Sequence, residues 1–258
     1  MNLDRAYENT AFIPDGSSFP ARWNAQAEAF RISHSGLSRL DRPYGAGARQ
    51  KYDLFLPDGP VQGTLIFVHG GYWKAFDKST WSHLASGAVA RGWAVVMPSY
   101  TLCPEARIAE IGAEIASVIT QIAETSKGPL VLTGHSAGGH LVARAAAGLL
   151  PASVMHRIRR VVPISPVADL EPLMHTSMNE ILRIDADEAL RESPVALAKP
   201  DVPVTVWVGG AERPAFIEQA AKLARVWDCG LEIADGRHHF DVIDALDRNG
   251  KLLNFLLA

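Results

Sequence analysis

Residues 130–141 read LVLTGHSAGGHL, and no other stretch constrains the fold of this chain so tightly. A continuous apolar run suits a strand buried on both faces, the condition of a parallel sheet covered by helices. The strand expected over Pro129–Thr133 passes at once into Gly134-His135-Ser136-Ala137-Gly138, and a helix of small residues is expected over Gly138–Leu149. A strand that becomes a helix within so few residues must bend sharply. Gly134 and Gly138 remove the Cβ atoms that would collide with the adjoining strand and helix. The bend lifts the Ser136 hydroxyl above the sheet, in front of a helix N-terminus that favours negative charge. Gly-x-Ser-x-Gly in this setting marks Ser136 as a candidate nucleophile.

The rest of the chain repeats the alternation. Strands are expected at Lys51–Leu56, Thr64–Val68, Trp93–Met97, Arg160–Ile164, Val204–Val208 and Leu231–Ala234. Helices are expected near Phe19–Arg31 and over Ser79–Arg91, Ile108–Thr125, Pro214–Trp227 and Asp241–Leu256. Strands alternating with helices of a dozen or so residues imply crossover units, hence an α/β fold with a mostly parallel central sheet covered on both faces. At 258 residues the chain suits one such domain. Residues 1–48 read as a polar, irregular N-terminal extension. Residues 166–200 are too long for a plain connection and read as a cap-like insertion over the sheet edge, with amphipathic pieces such as Met178–Arg183.

Composition narrows the partners. A net charge of −3 with no dense basic run favours neither nucleic acid nor an anionic membrane. Met1-Asn2-Leu3-Asp4-Arg5 lacks the apolar core of a signal peptide, and no apolar stretch nears the roughly 20 residues that span a bilayer, so a cytoplasmic protein is expected. Cys103 and Cys229 read as idle thiols. The oligomeric state is left open, a homodimer being one option. A small-molecule substrate is the expected partner.

In open α/β sheets the chemistry sits at the carboxyl ends of strands. After Thr64–Val68 comes His69-Gly70-Gly71-Tyr72-Trp73. A carbonyl attacked by a hydroxyl becomes an oxyanion and needs fixed donors. The N–H groups of Gly71 and Tyr72, with that of Ala137 after the serine, are the nominated hole. His69 is read as tying the loop down, and Trp73 as a pocket wall or plain core. After Val204–Val208 comes Gly209-Gly210-Ala211-Glu212, which makes Glu212 the acid, with Asp169 in reserve. After Leu231–Ala234 two histidines compete. His239, directly before Phe240, is preferred as the base, and His238 is placed at the pocket mouth. Their adjacent side chains diverge, so a metal site is not expected.

These residues together resemble a family. The HGGYW loop, the GHSAGG turn, Gly210-Ala211-Glu212, His239-Phe240, the N-terminal Leu3-Asp4-Arg5-Ala6-Tyr7 and the stretch Ser165–Leu182 are similar to the kynurenine formamidase (arylformamidase) branch of the esterase/lipase α/β-hydrolases. The resemblance implies an α/β-hydrolase fold, a Ser136–Glu212–His239 triad, no cofactor, and hydrolysis of N-formyl-L-kynurenine to kynurenine and formate. The same scaffold serves carboxylesterases and thioesterases for small acyl groups, which stand as the alternative. Bulky Tyr72 and Trp73 beside the hole are expected to favour a small acyl group.

Overall fold

The computed structural model describes residues 2–247 and 250–258. Eight strands form one sheet: β1 (Ser38–Pro43), β2 (Lys51–Phe55), β3 (Gly63–Val68), β4 (Trp93–Pro98), β5 (Leu130–His135), β6 (Ile158–Ile164), β7 (Thr205–Gly209) and β8 (Gly230–Ala234). Their order across the sheet is β1-β2-β4-β3-β5-β6-β7-β8. β2 pairs antiparallel with both β1 and β4, and every other pairing is parallel. This is the mostly parallel α/β sheet expected from the strand–helix alternation, consistent with the fold that the resemblance implies.

The sheet separates two cores. Side chains alternate between faces along a strand. Ile66, Val68, Leu130, Leu132, Val206 and Val208 join the core beneath the helices Ile108–Thr125, Ala137–Ala146 and Pro214–Val226. Leu65, Phe67, Val131 and Trp207 join the other core, with Trp23, Trp81 and the C-terminal leucines. The helix Ile108–Thr125 buries Ile108, Ile111, Ile115, Ile119 and Ile122 on one stripe, and Glu110 caps it by accepting the Arg107 N–H at 2.7 Å. Each fully buried isoleucine is worth roughly 1.5–3 kcal/mol, so a charge at Ile115 would undo this face.

Register places the functional loops. Val68 pairs with Gly134 at the ends of β3 and β5, so the glycine loop after β3 emerges beside the serine turn after β5. Gly209 pairs with Ala234 at the ends of β7 and β8, so the segments bearing Glu212 and His239 leave the sheet side by side.

Four expectations need correction. Residues 78–89 form a 3-10 helix, Lys78–Ala85, and one α-turn, Ser86–Val89, in place of a full α-helix over Ser79–Arg91. The serines compete for backbone carbonyls there: the Ser86 hydroxyl donates to His83 O at 2.8 Å. The closing helix expected from Asp241 is a 3-10 turn, Asp244–Leu246, then Lys251–Leu257 after Gly250; its positions 248 and 249 lie outside the described residues. The N-terminal 48 residues hold, besides the expected helix, which runs Phe19–Ser33, a strand that their irregular reading left out, β1. That strand escaped notice because its charged, largely exposed SRLDRP is how a sheet edge is protected from further pairing.

Residues 166–200 follow β6 and precede β7, two interior strands, so they do not cover an edge. They form short helices, among them Asn179–Leu182 and Ala186–Glu192, whose Leu173, Leu182, Ile184 and Ala189 join the core under Ile108–Thr125. Arg144 on the helix after Ser136 clamps Glu192 at 2.8 Å.

Candidate active site

Ser136 sits at the sharp turn with φ 57° and ψ −116°, a strained conformation for a residue with a Cβ. What holds it is close packing on all sides. A Cβ on Gly138 would lie 2.0 Å from the Val68 carbonyl oxygen, so the helix can approach β3 only through glycine. A Cβ on Gly70 would lie 2.9 Å from the His135 carbonyl oxygen and 3.2 Å from the Ser136 Cβ, so this glycine lets the loop after β3 touch the serine turn. The Ser136 N–H donates to Ile164 O of the neighbouring strand at 2.8 Å.

Glu212 is the hub of the acid end. Its Oε2 accepts the Nδ1–H of His239 at 2.6 Å. Its Oε1 accepts the Gly209 N–H at 2.7 Å and the Ser165 hydroxyl. Both carboxylate oxygens are therefore engaged, which fixes the carboxylate plane and, through it, the imidazole. Glu212 and His239 are 7% and 4% exposed, so their charge-assisted bond is sheltered from water. The imidazole is also packed between rings, with centroids 4.1 Å from Phe216 and 4.5 Å from His135. Asp169, the reserve acid, is occupied elsewhere by Lys222.

Ser136 and His239 line one cavity of about 450 Å³. Gly70, Gly71 and Tyr72 line it too. Among the described residues the N–H groups of Gly71, Tyr72 and Ala137 donate no hydrogen bond, so three free donors border the serine turn. The loop carrying two of them is strained, with φ 112° at Gly71, 50° at Tyr72 and 54° at Trp73. It is anchored by His69, whose Nδ1–H donates to Gly70 O at 2.7 Å and whose ring stacks on Tyr100 at 4.4 Å, the tethering role expected of it. Burial pushes the His69 imidazole down to about 4, which keeps it neutral.

Two pocket candidates fall outside the cavity. Trp73 is fully buried in the core and meets His140 edge-on at 5.0 Å. His238 is used by its own turn: its Nδ1 accepts the N–H groups of Phe240 and Asp241 at 3.1 and 3.2 Å, and its ring packs on Phe19. Among the described residues no group of three His, Cys, Asp or Glu is placed to hold a metal, and no helix is long and apolar enough to cross a membrane.

Sequence reasoning missed most of the cavity's other lining. Tyr7, Glu8, Asn9, Pro20 and Trp23 come from the N-terminal segment, Met178 from the 166–200 stretch, Phe76 from the loop after β3, and Trp81 from the 3-10 helix that follows it. Trp23 lies 4.6 Å from Trp81 and 5.3 Å from Phe240, giving an aromatic wall. His135 was missed as well. It stands inside the Gly-x-Ser-x-Gly motif, and burial, with the neighbouring His239 adding to the effect, holds its imidazole well below the usual range.

A family model for the α/β-hydrolase fold matches residues 65–201. The chain belongs to the α/β-hydrolase family. It is a hydrolase whose curated relatives include the kynurenine formamidase of Danio rerio, 28% identical over 92% of each chain, and that of Salmo salar, 29% identical over 80% of this chain and 76% of the relative. Among solved structures, one described as a candidate thioesterase from Silicibacter sp. TM1040 is 54% identical, with a TM-score of 0.98 and full coverage of both chains. Esterase B of Lactobacillus rhamnosis shares the α/β-hydrolase fold at a TM-score of 0.70 and 19% identity, covering 93% of each chain.

Proposed function

We propose that this α/β-hydrolase is a serine hydrolase that cleaves an aryl formamide, N-formyl-L-kynurenine foremost, through an acyl-enzyme on Ser136. The observation that carries the chemistry is the Glu212–His239 bond of 2.6 Å, whose imidazole shares a cavity with Ser136. With Nδ1–H given to Glu212, the Nε2 lone pair is the free end of the imidazole and serves as the base. His239 takes the Ser136 proton as the hydroxyl attacks the formyl carbon. Glu212 stabilises the imidazolium without taking its proton. The tetrahedral oxyanion is received by the Gly71, Tyr72 and Ala137 N–H groups. His239 then returns its proton to the leaving aryl amine. The same imidazole activates a water that attacks the formyl ester and releases formate.

The substrate reading is supported by the kynurenine formamidase relatives, which run nearly the length of this chain, and by the aromatic wall of Trp23, Trp81 and Phe240, which suits a flat leaving group. With Trp73 in the core, restriction of the acyl side falls to Tyr72. A second reading, a thioesterase or carboxylesterase for small acyl groups, is favoured by the 54% identical structure described as a candidate thioesterase.

Steady-state kcat/KM on N-formyl-L-kynurenine, p-nitrophenyl acetate, p-nitrophenyl butyrate and acetyl-coenzyme A separates the two. The formamide should exceed every longer acyl substrate, and each added methylene should lose roughly 10-fold or more if the acyl site is tight. A higher kcat/KM on butyrate or on the thioester replaces the formamidase reading with the second one.

A further inference from the structure

The loop after β3 is tethered along its length, and one tether lies outside the hydrolase core. His69 ties the start of the loop to Gly70 O. Its far side is fixed by the Cys103 N–H, which donates to Trp73 O at 2.8 Å, and by burial of the Trp73 ring. Between them stands Tyr72. Its φ of 50° is a left-handed conformation, which a residue with a Cβ adopts at a cost and keeps only where its surroundings enforce it. At Tyr72 the side chain reaches out of the loop: its hydroxyl donates to Tyr7 O at 2.7 Å. Tyr7 belongs to the segment that precedes the family match beginning at residue 65.

Tyr7 is placed to receive that bond. It closes the helix Leu3–Tyr7, and the last carbonyls of a helix have no partner within it, so Tyr7 O is open to an outside donor. The residue is 5% exposed. Its hydroxyl accepts the Gln219 Nε2–H at 2.8 Å, and its ring meets Phe216 edge-on at 5.8 Å. Phe216 is the ring that packs at 4.1 Å against His239. Tyr7 thus touches the Tyr72 loop through its carbonyl and the support of the His239 imidazole through its ring.

We infer that Tyr7 is a positioning residue, whose carbonyl holds the Tyr72 hydroxyl and so keeps the Gly71 and Tyr72 N–H groups where the oxyanion forms. This rests on those N–H groups being the oxyanion donors, but not on the acyl group being formyl. Donors that drift from the oxyanion weaken the transition state and leave binding of the planar ground state alone, so the link acts on kcat and not on KM.

Tyr72→Phe cuts the link and keeps the ring that borders the cavity. On p-nitrophenyl acetate its kcat should fall roughly ten- to a hundredfold with KM within about twofold of wild type, because acylation and deacylation pass through the same oxyanion. The Ki of butylboronic acid, whose tetrahedral adduct on Ser136 puts an oxygen in the same hole, should rise by the factor that kcat loses. Tyr7→Ala removes the ring and hydroxyl that seat the carbonyl and should lower kcat in the same way. The double variant should fall within about threefold of the worse single one, since both changes break one link. If Tyr7→Ala does not fold, Tyr72→Phe decides alone. An unchanged kcat and Ki in Tyr72→Phe overturns the inference, as does a loss confined to KM or a double variant in which the two losses multiply. Labelling of Ser136 by a p-nitrophenyl alkylphosphonate separates this inference from the wider reading, and its rate should fall in Tyr72→Phe by the same factor as kcat. A wild-type protein that is not labelled at Ser136 fails both readings, and a labelled one whose rate ignores Tyr72→Phe fails this one alone.

Discussion

The turn around Ser136 and the N-terminal segment 2–33 meet at one cavity, and they are held there by different kinds of force. The turn is locked by backbone. Its glycines sit within van der Waals distance of main-chain atoms of β3 and β6, and a Cβ on Gly134, Gly138 or Gly139 would collide with them. The N-terminal segment is held by side chains: Tyr7 against Phe216 and Gln219, Asp4 on Ser177, Trp23 on Trp81. A backbone constraint permits only a few residue types in a fixed order. A side-chain contact can be made by many residue pairs at any separation in the chain. The chemistry of such a protein is therefore written in short motifs, and its selectivity in long-range packing.

Triad substitutions should show the largest effect. Ser136→Ala and His239→Ala should each lower kcat by about 10⁴–10⁶-fold, since the two act as one unit. Glu212→Gln should cost less, on the order of 10²–10⁴-fold, by spoiling the imidazole tautomer. Thermal unfolding should show Ser136→Ala folded as the wild type. Retention of more than a hundredth of the activity by either of the first two would break the assignment of chemistry to the turn.

Acid stability separates the regions next. His69 and His140 are buried near the turn, and burial pushes each imidazole down to about 4. The segment 2–33 contains no histidine. Between the unfolded value near 6.5 and the folded value near 4, the unfolded chain binds more protons, so stability is lost as pH falls through that window. The melting temperature should drop by roughly 10 °C or more between pH 7 and pH 5, and His140→Gln should remove part of the drop. A melting temperature that stays flat over that range would mean these imidazoles are not held neutral.

Trp23→Ala should have the smallest effect. It removes part of the aromatic wall while leaving the triad intact, and should lower kcat/KM about tenfold for aryl leaving groups and less for an alkyl ester, a selectivity that aromatic stacking would give. An equal loss on both would mean the segment supports the fold and not the substrate.

The same contrast explains what was legible. Strand–turn–helix at Ser136, the loop after Val68, and Glu212 and His239 after their strands all lie where chain order and sheet topology must put them, and the helix Ile108–Thr125 follows from its isoleucine spacing. Trp73 was ambiguous because it and Tyr72 stand side by side after the glycines, and no local pattern tells which of the two rings enters the core and which lines the cavity. The cavity lining from the N-terminal segment gave no local signal. Its place depends on Tyr7, Gln219 and Ser177, which lie up to 212 positions apart in the hydrogen bonds that set it.

The central claim is that Ser136 is the nucleophile, activated by His239 and Glu212. Incubation with a p-nitrophenyl alkylphosphonate, followed by intact-mass measurement and peptide mapping, tests it whatever the natural substrate is. One phosphonyl group should add to the wild-type chain and map to Ser136, with loss of activity in step. Ser136→Ala should take up none, and His239→Ala should label far more slowly. Stoichiometric labelling at another residue, or full labelling of Ser136→Ala, would contradict the account.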